Sequence, residues 1–146
     1  MHGGFDSFIE EFYSEVRYLA NRGYEVFAFE GPGQGGAGRK FGLPVTNERE
    51  KPVGAVLDHL KLDDVTIYGL SMGGYWCLVA TAFEPRIKRV VSSGSTWDSM
   101  QMKGVNRQTE LITQDVLLLV GKNDHFIPFK RHHQQTQALT AACAVT

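Results

Sequence analysis

Gly69-Leu70-Ser71-Met72-Gly73 is the stretch from which the rest of this chain is read. It follows Val65-Thr66-Ile67-Tyr68, a β-branched and aromatic run led in by the turn residues Asp63 and Asp64. It precedes an apolar segment from Gly73 to Phe83 with Pro85 at its exit. Those flanks predict a strand before the pentapeptide and a helix after it. A strand-to-helix turn this tight leaves no room for side chains beside it, and Gly69 and Gly73 remove the conflict. Ser71 is then pushed out above the carboxyl ends of the strands. The Met72 N–H, at the start of the helix, points to where an oxyanion would form, and the helix dipole adds to it. A competing reading is a glycine-flanked turn whose serine only caps the helix.

Outward from this turn, strands and helices alternate. Asp6 to Arg22 reads as a helix, with Phe8, Ile9, Phe12, Val16, Leu19 and Ala20 at helical spacing. Ser7 and Glu10 fit a capping box, Asp6 competes as N-cap, and Gly23 stands where a C-cap glycine belongs. Tyr24 to Phe29 reads as a buried strand. Pro52 suits the first turn of a helix through Leu60. Ile87–Val91 and Val116–Val120 are further strands, Phe129 to Leu139 a last helix, and Thr140 to Thr146 a frayed end. The expectation is an α/β fold: a mostly parallel sheet of about four strands with helices on both faces. Residues 1–146 read as one domain, and 93–114 is long for a connection within it but too short to hold a domain of ordinary size.

Bulk properties narrow the function. The chain has 146 residues, net charge -1, 42% apolar and 21% charged residues. Neither nucleic acid nor an acidic membrane surface is an expected partner. No apolar run is long enough to cross a membrane, and the start at Met1-His2-Gly3-Gly4 has no secretory pattern, so a cytoplasmic location is expected. Cys77 and Cys143 each read as a small buried hydrophobe or as half of a bridge.

Three further segments carry chemistry. His2-Gly3-Gly4-Phe5 is a run from which Gly4 or Phe5 would supply a second oxyanion N–H. Asp124, in Gly121-Lys122-Asn123-Asp124-His125-Phe126-Ile127-Pro128, follows a late strand, where a triad acid belongs in the order Ser, Asp, His. The other reading of Asp124 is an Asx turn. The loop Gly31-Pro32-Gly33-Gln34-Gly35-Gly36-Ala37-Gly38 looks like a phosphate cradle but lacks a G-K-[ST] ending. It reads as a loop bordering the site.

Together with Phe29-Glu30-Gly31-Pro32-Gly33-Gln34-Gly35, these motifs resemble the α/β-hydrolase superfamily. The nearest likeness is to a capped bacterial branch related to the fermentation-respiration switch protein and to carbon–carbon bond hydrolases of pyridine alkaloids. The resemblance implies Ser71 as nucleophile, Asp124 as acid, Met72 with Gly4 and Phe5 as the oxyanion hole, and Glu30 on the rim of the site. It also implies a shortened form, without the strands ahead of the His-Gly motif, the cap, or the segment bearing the triad histidine.

A base must therefore be sought among His2, His59, His125, His132 and His133. His125 ranks first because it lies on the rim beside Asp124. His2 would serve if the N-terminus folds over Ser71, and a histidine of a partner chain is a further option. His59 reads as structural or solvated, and His132 and His133 as exposed helix residues. The leading expectation is a carboxylesterase-type hydrolase acting on a small-molecule ester, needing neither cofactor nor metal. The alternatives are a catalytically silent hydrolase-like fragment or binding module, and a carbon–carbon bond hydrolase. A four-strand sheet without its usual neighbours also leads to an expectation of homo-oligomers.

Overall fold

The computed structural model of the chain describes residues 1–94 and 111–125, and the backbone of 143–145. Four strands form one sheet in the order β1 (Val65–Leu70), β2 (Ile87–Ser93), β3 (Asp115–Leu119) and β4 (Cys143–Val145). Every neighbouring pair is parallel. Before the sheet come a 3-10 turn at Ile9–Phe12 and the helices α1 (Tyr13–Ala20), α2 (Gly35–Arg39) and α3 (Glu50–Leu60). Between β1 and β2 lies α4 (Met72–Phe83). The expected α/β architecture is the observed one.

The core lies between the sheet and α4. Ile67, Val90, Val116 and Leu118 alternate onto one sheet face and are buried there with Leu78 and Val79 of α4. Val53 and Leu57 of α3 join the same cluster. Helix α4 is therefore enclosed on both sides, which is why Gly73 to Thr81 is buried without a polar face. On the opposite sheet face, Tyr68, Val91, Leu117 and Leu119 border a groove of about 1480 Å³, flanked by Tyr18 and Leu19 of α1. Helices thus flank both faces, and Ser71 does not line this groove.

Two expectations about strands are corrected. Tyr24 to Phe29 is not a regular strand; it touches the sheet through a single bridge, Phe29 to His2. The position beside β1 is taken by the two residues Met1 and His2. His2 N–H donates to Tyr68 O (2.8 Å), Leu70 N–H to His2 O (3.2 Å), and Phe29 N–H to Met1 O (3.2 Å). Conversely, the supposedly frayed end contains β4, which pairs Cys143, Ala144 and Val145 with Val116, Leu117 and Leu118. Residues 95–110, the expected helix at 129–139, and with it His132 and His133, lie outside the described residues.

The first helix also starts differently. Ser7 is not its cap, because the Ser7 hydroxyl donates to Gly4 O at 3.0 Å. The chain enters a 3-10 turn first, and Glu11, rather than Glu10, reaches back to accept the Phe8 N–H at 3.1 Å. Gly23 leaves α1 with φ +87°, as a C-terminal glycine is expected to.

Enclosure of α4 makes its apolar side chains sensitive to truncation. Leu78→Ala should lower stability by about 3 kcal/mol, within the usual range for a fully buried leucine. Leu43→Ala, at an exposed leucine, should change it by less than about 0.5 kcal/mol. Urea unfolding midpoints of the two variants against the parent check both.

Candidate active site

Ser71 stands where β1 stops and α4 starts, with φ +53° and ψ −127°. A side chain in that region of backbone space costs about 1–3 kcal/mol and persists only where neighbours hold it. Here the Ser71 N–H donates to Ser93 O at 2.8 Å, and Gly74 N–H donates to Ser71 O at 2.9 Å. The Ser71 side chain makes no cap hydrogen bond to α4 and is exposed. This removes the reading of Ser71 as a helix cap and leaves its hydroxyl free for chemistry. The Met72 N–H has no acceptor among the described residues and carries the positive end of the α4 dipole.

Gly69 and Gly73 are both required, but for different neighbours. A Cβ on Gly69 would overlap the Gly73 carbonyl. A Cβ on Gly73 would overlap the carbonyls of His2 and Gly3. Gly73 therefore clears space for the N-terminal loop, not for the turn itself. That loop brings Gly4 against the nucleophile: a Cβ there would lie 3.3 Å from Ser71 Cβ and 3.6 Å from Ser71 Oγ. The Gly4 and Phe5 N–H groups have no acceptor among the described residues. Ser71, Met72 and Gly4 therefore lie together at this turn, with Phe5 next in the chain after Gly4.

Behind the loop lies a buried polar cluster. Gln34 Oε1 accepts the Gly31 N–H at 2.9 Å, and Gln34 Nε2 donates to Gly3 O at 2.9 Å and Gly4 O at 2.5 Å. Arg49 is fully buried, donates from Nη1 to Pro32 O at 3.2 Å, and stacks 3.6 Å from the centre of the Trp76 ring. The Trp76 face offers its cation compensation that water would otherwise supply. Burial still pulls the Arg49 pKa down to about 10. Gly31 admits no side chain without crowding this cluster, since a Cβ would lie 3.0 Å from Arg49 Nη1 and 3.2 Å from His2 Nε2. Sequence reading missed Gln34 and Arg49. The signal for Gln34 was a long amide inside a run of glycines; Arg49 had none.

His2 belongs to this cluster and is not the base. It is 1% exposed, its Nδ1 lies 3.1 Å from Gly3 O, and its ring packs edge-on against Phe29 and tilted against Trp76. Burial above all drops its pKa to about 4, and the nearby Arg49 charge adds to the drop. Its backbone, not its imidazole, approaches Ser71. Glu30 is likewise occupied elsewhere: its carboxylate accepts the Ile9 N–H at 3.3 Å and the Gly36 N–H at 2.6 Å, tying two helix starts together.

Asp124 and His125 lie in a turn just after β3, with the Asp124 N–H donated to Gly121 O at 3.2 Å. Asp124 is half-buried and His125 exposed. The register places Leu70 beside Ser93 and Ser93 beside Leu119, so Ser71 and this turn leave the same end of the sheet. One strand separates β1 from β3, which sets the two about 10 Å apart. Among the described residues no imidazole is hydrogen-bonded to Ser71. His59 is exposed on α3.

Comparison with known proteins agrees with this geometry. Residues 1–119 match the alpha/beta hydrolase fold family. Over 103 residues the chain is 44% identical to the alpha/beta hydrolase psoB of Aspergillus fumigatus, covering 62% of this chain and 23% of psoB. Over 112 residues it is 40% identical to the 20-hydroxy-prefusarin hydrolase of Gibberella moniliformis, covering 68% of this chain and 26% of that protein. The chain spans about a quarter of the length of these curated relatives. Among solved structures, the 2,6-dihydroxy-pseudo-oxynicotine hydrolase superposes with a TM-score of 0.76 at 21% identity, over 99% of this chain and 52% of that one. The monoacylglycerol lipase of Paleococcus ferrophilus does so with a TM-score of 0.74 at 15% identity, over 99% and 81%. At these identities the structural likeness establishes the fold.

Burial of a neutral His2 has a consequence for stability. From its ordinary value of 6.5 down to about 4, the unfolded chain takes up a proton at His2 that the folded chain excludes. Stability therefore falls as pH falls through that window and levels off below it. Urea midpoints measured across it should show a shallower slope for His2→Gln than for the parent, whatever the absolute loss from repacking.

Proposed function

Because the chain belongs to the α/β-hydrolase family, we propose that it is a serine hydrolase cleaving small carboxylic esters through an acyl-enzyme on Ser71. The observation that carries the reading is the exposed, uncapped Ser71 hydroxyl at positive φ, placed against two sources of free N–H groups. Ser71 Oγ attacks the ester carbonyl. The negative charge that develops on its oxygen meets the Met72 N–H from one side and the Gly4 or Phe5 N–H from the other. Collapse expels the alcohol, and water then releases the acid.

The Ser71 proton needs an acceptor, and we assign His125 to it, with Asp124 as the acid that orients an imidazole. What supports this is position. Both residues follow β3 at the end of the sheet where Ser71 emerges, and a gap of about 10 Å between the two strands suits a serine, an imidazole and a carboxylate in line. The substrate is proposed at the level of an ester; 20-hydroxy-prefusarin is named only for a relative. A second reading, a silent hydrolase-like module, is favoured by the lack of an imidazole on Ser71 among the described residues.

Hydrolysis of p-nitrophenyl acetate separates the two readings. Ser71→Ala should lower kcat by about 10⁴-fold or to the buffer rate, and Asp124→Asn by about 10²–10⁴-fold. His125→Ala should fall as far as Asp124→Asn or further. A parent rate no higher than that of Ser71→Ala supports the silent module instead.

A further inference from the structure

We propose that Gln34 is a positioning residue that aims the oxyanion N–H groups at Ser71 by fixing the carbonyls on their far side. The inference rests on the hydrolase reading for its catalytic consequence and on geometry for its structural one. In a trans peptide the N–H and C=O point in opposite directions. The carbonyl of Gly3 shares a peptide plane with the Gly4 N–H, and the carbonyl of Gly4 shares one with the Phe5 N–H. Gln34 Nε2 holds both of these carbonyls, at 2.9 and 2.5 Å. The two N–H groups, which have no acceptor among the described residues, are therefore turned away from Gln34. The Gly4 backbone between them lies against Ser71.

Among the described residues no other side chain bonds both carbonyls. The loop is glycine at residues 3 and 4, so its backbone has no intrinsic preference to hold this orientation. The Ser7 hydroxyl reaches Gly4 O alone, at 3.0 Å, and His2 Nδ1 approaches Gly3 O alone, at 3.1 Å. Gln34 is itself immobilised. It is 1% exposed, and its Oε1 accepts the Gly31 N–H at 2.9 Å. Both Nε2 protons and one lone pair of Oε1 are engaged with backbone, and the buried amide does not reach the surface where Ser71 is exposed. A buried amide with both ends engaged fixes its partners because breaking any bond strands a polar group away from water. Pre-set donors are worth most where charge develops, and a misaimed loop loses that benefit while leaving the substrate site open.

Two variants separate the aiming role from mere anchoring. Gln34→Glu keeps an oxygen for the Gly31 N–H but has no N–H for the Gly3 and Gly4 carbonyls. Gln34→Met removes both functions at similar length. With p-nitrophenyl acetate, both variants should lose kcat on the order of 10²-fold with KM changed less than about threefold. In amide NMR spectra of the whole chain, Gln34→Glu should shift or split the Gly4 and Phe5 signals while the Gly31 signal keeps its exchange protection. Gln34→Met should disturb all three. A Gln34→Glu variant with parental kcat and unmoved Gly4 and Phe5 signals overturns the inference. A kcat loss shared equally by a raised KM, with those signals unmoved, overturns it as well. If the parent itself shows no esterase activity, the hydrolase reading fails and takes the catalytic consequence with it. The Gly4 and Phe5 signals then still decide whether Gln34 sets the loop.

Discussion

Three backbone segments meet at Ser71 with no side chain between them, and the rest of the structure depends on that contact. The end of β1, the first turn of α4 and the His2–Gly4 loop approach so closely that a methyl group at Gly69 or Gly73 would sit on a carbonyl. Ser71 sits there at positive φ, and the cost is offset by hydrogen bonds between its backbone and β2 and α4. The sheet is the scaffold for this arrangement. Parallel strands of matched length end together, so whatever leaves them does so on one surface, where open α/β sheets gather their sites.

A loop of glycines needs outside support to stay in one shape. It comes from a polar cluster that is buried rather than solvated. Gln34, His2 and Ser7 all bond the carbonyls of Gly3 and Gly4, and Arg49 closes the cluster from below against Trp76. Such clusters tolerate little change, because each member removed leaves another unpaired in low dielectric. The same burial explains why the His2 pKa is lowered and its imidazole is turned into the core rather than towards Ser71. The wall behind the candidate site and the fold's polar core are one structure here.

Local features were legible in the sequence and non-local ones were not. The strand–serine–helix turn, α4 and Gly23 follow from spacing and from residues that tolerate special backbone angles, all within a few positions. Residues 24–29 have the composition of a strand, but whether they pair depends on Met1 and His2, which occupy the neighbouring position. Residues 143–145 look unpromising alone and are ordered by β3. Ser7 was read by its usual local role, as a cap. In the fold Ser7 serves Gly4, while Glu30 serves the starts of two helices. Gln34 stands out locally only as a long amide among glycines, since Gly3 and Gly4, the partners that give it a role, lie some thirty residues upstream.

The geometry at the end of β1 should make Ser71 nucleophilic. A fluorophosphonate phosphonylates an activated serine and leaves unactivated ones alone, so it reads that property without assuming a natural substrate. Intact-mass spectrometry after exposure, followed by peptide mapping, should find one phosphonyl group per chain, on Ser71, and none on Ser71→Ala. A chain that stays unmodified, or one that is modified equally in the Ser71→Ala variant, would contradict the account.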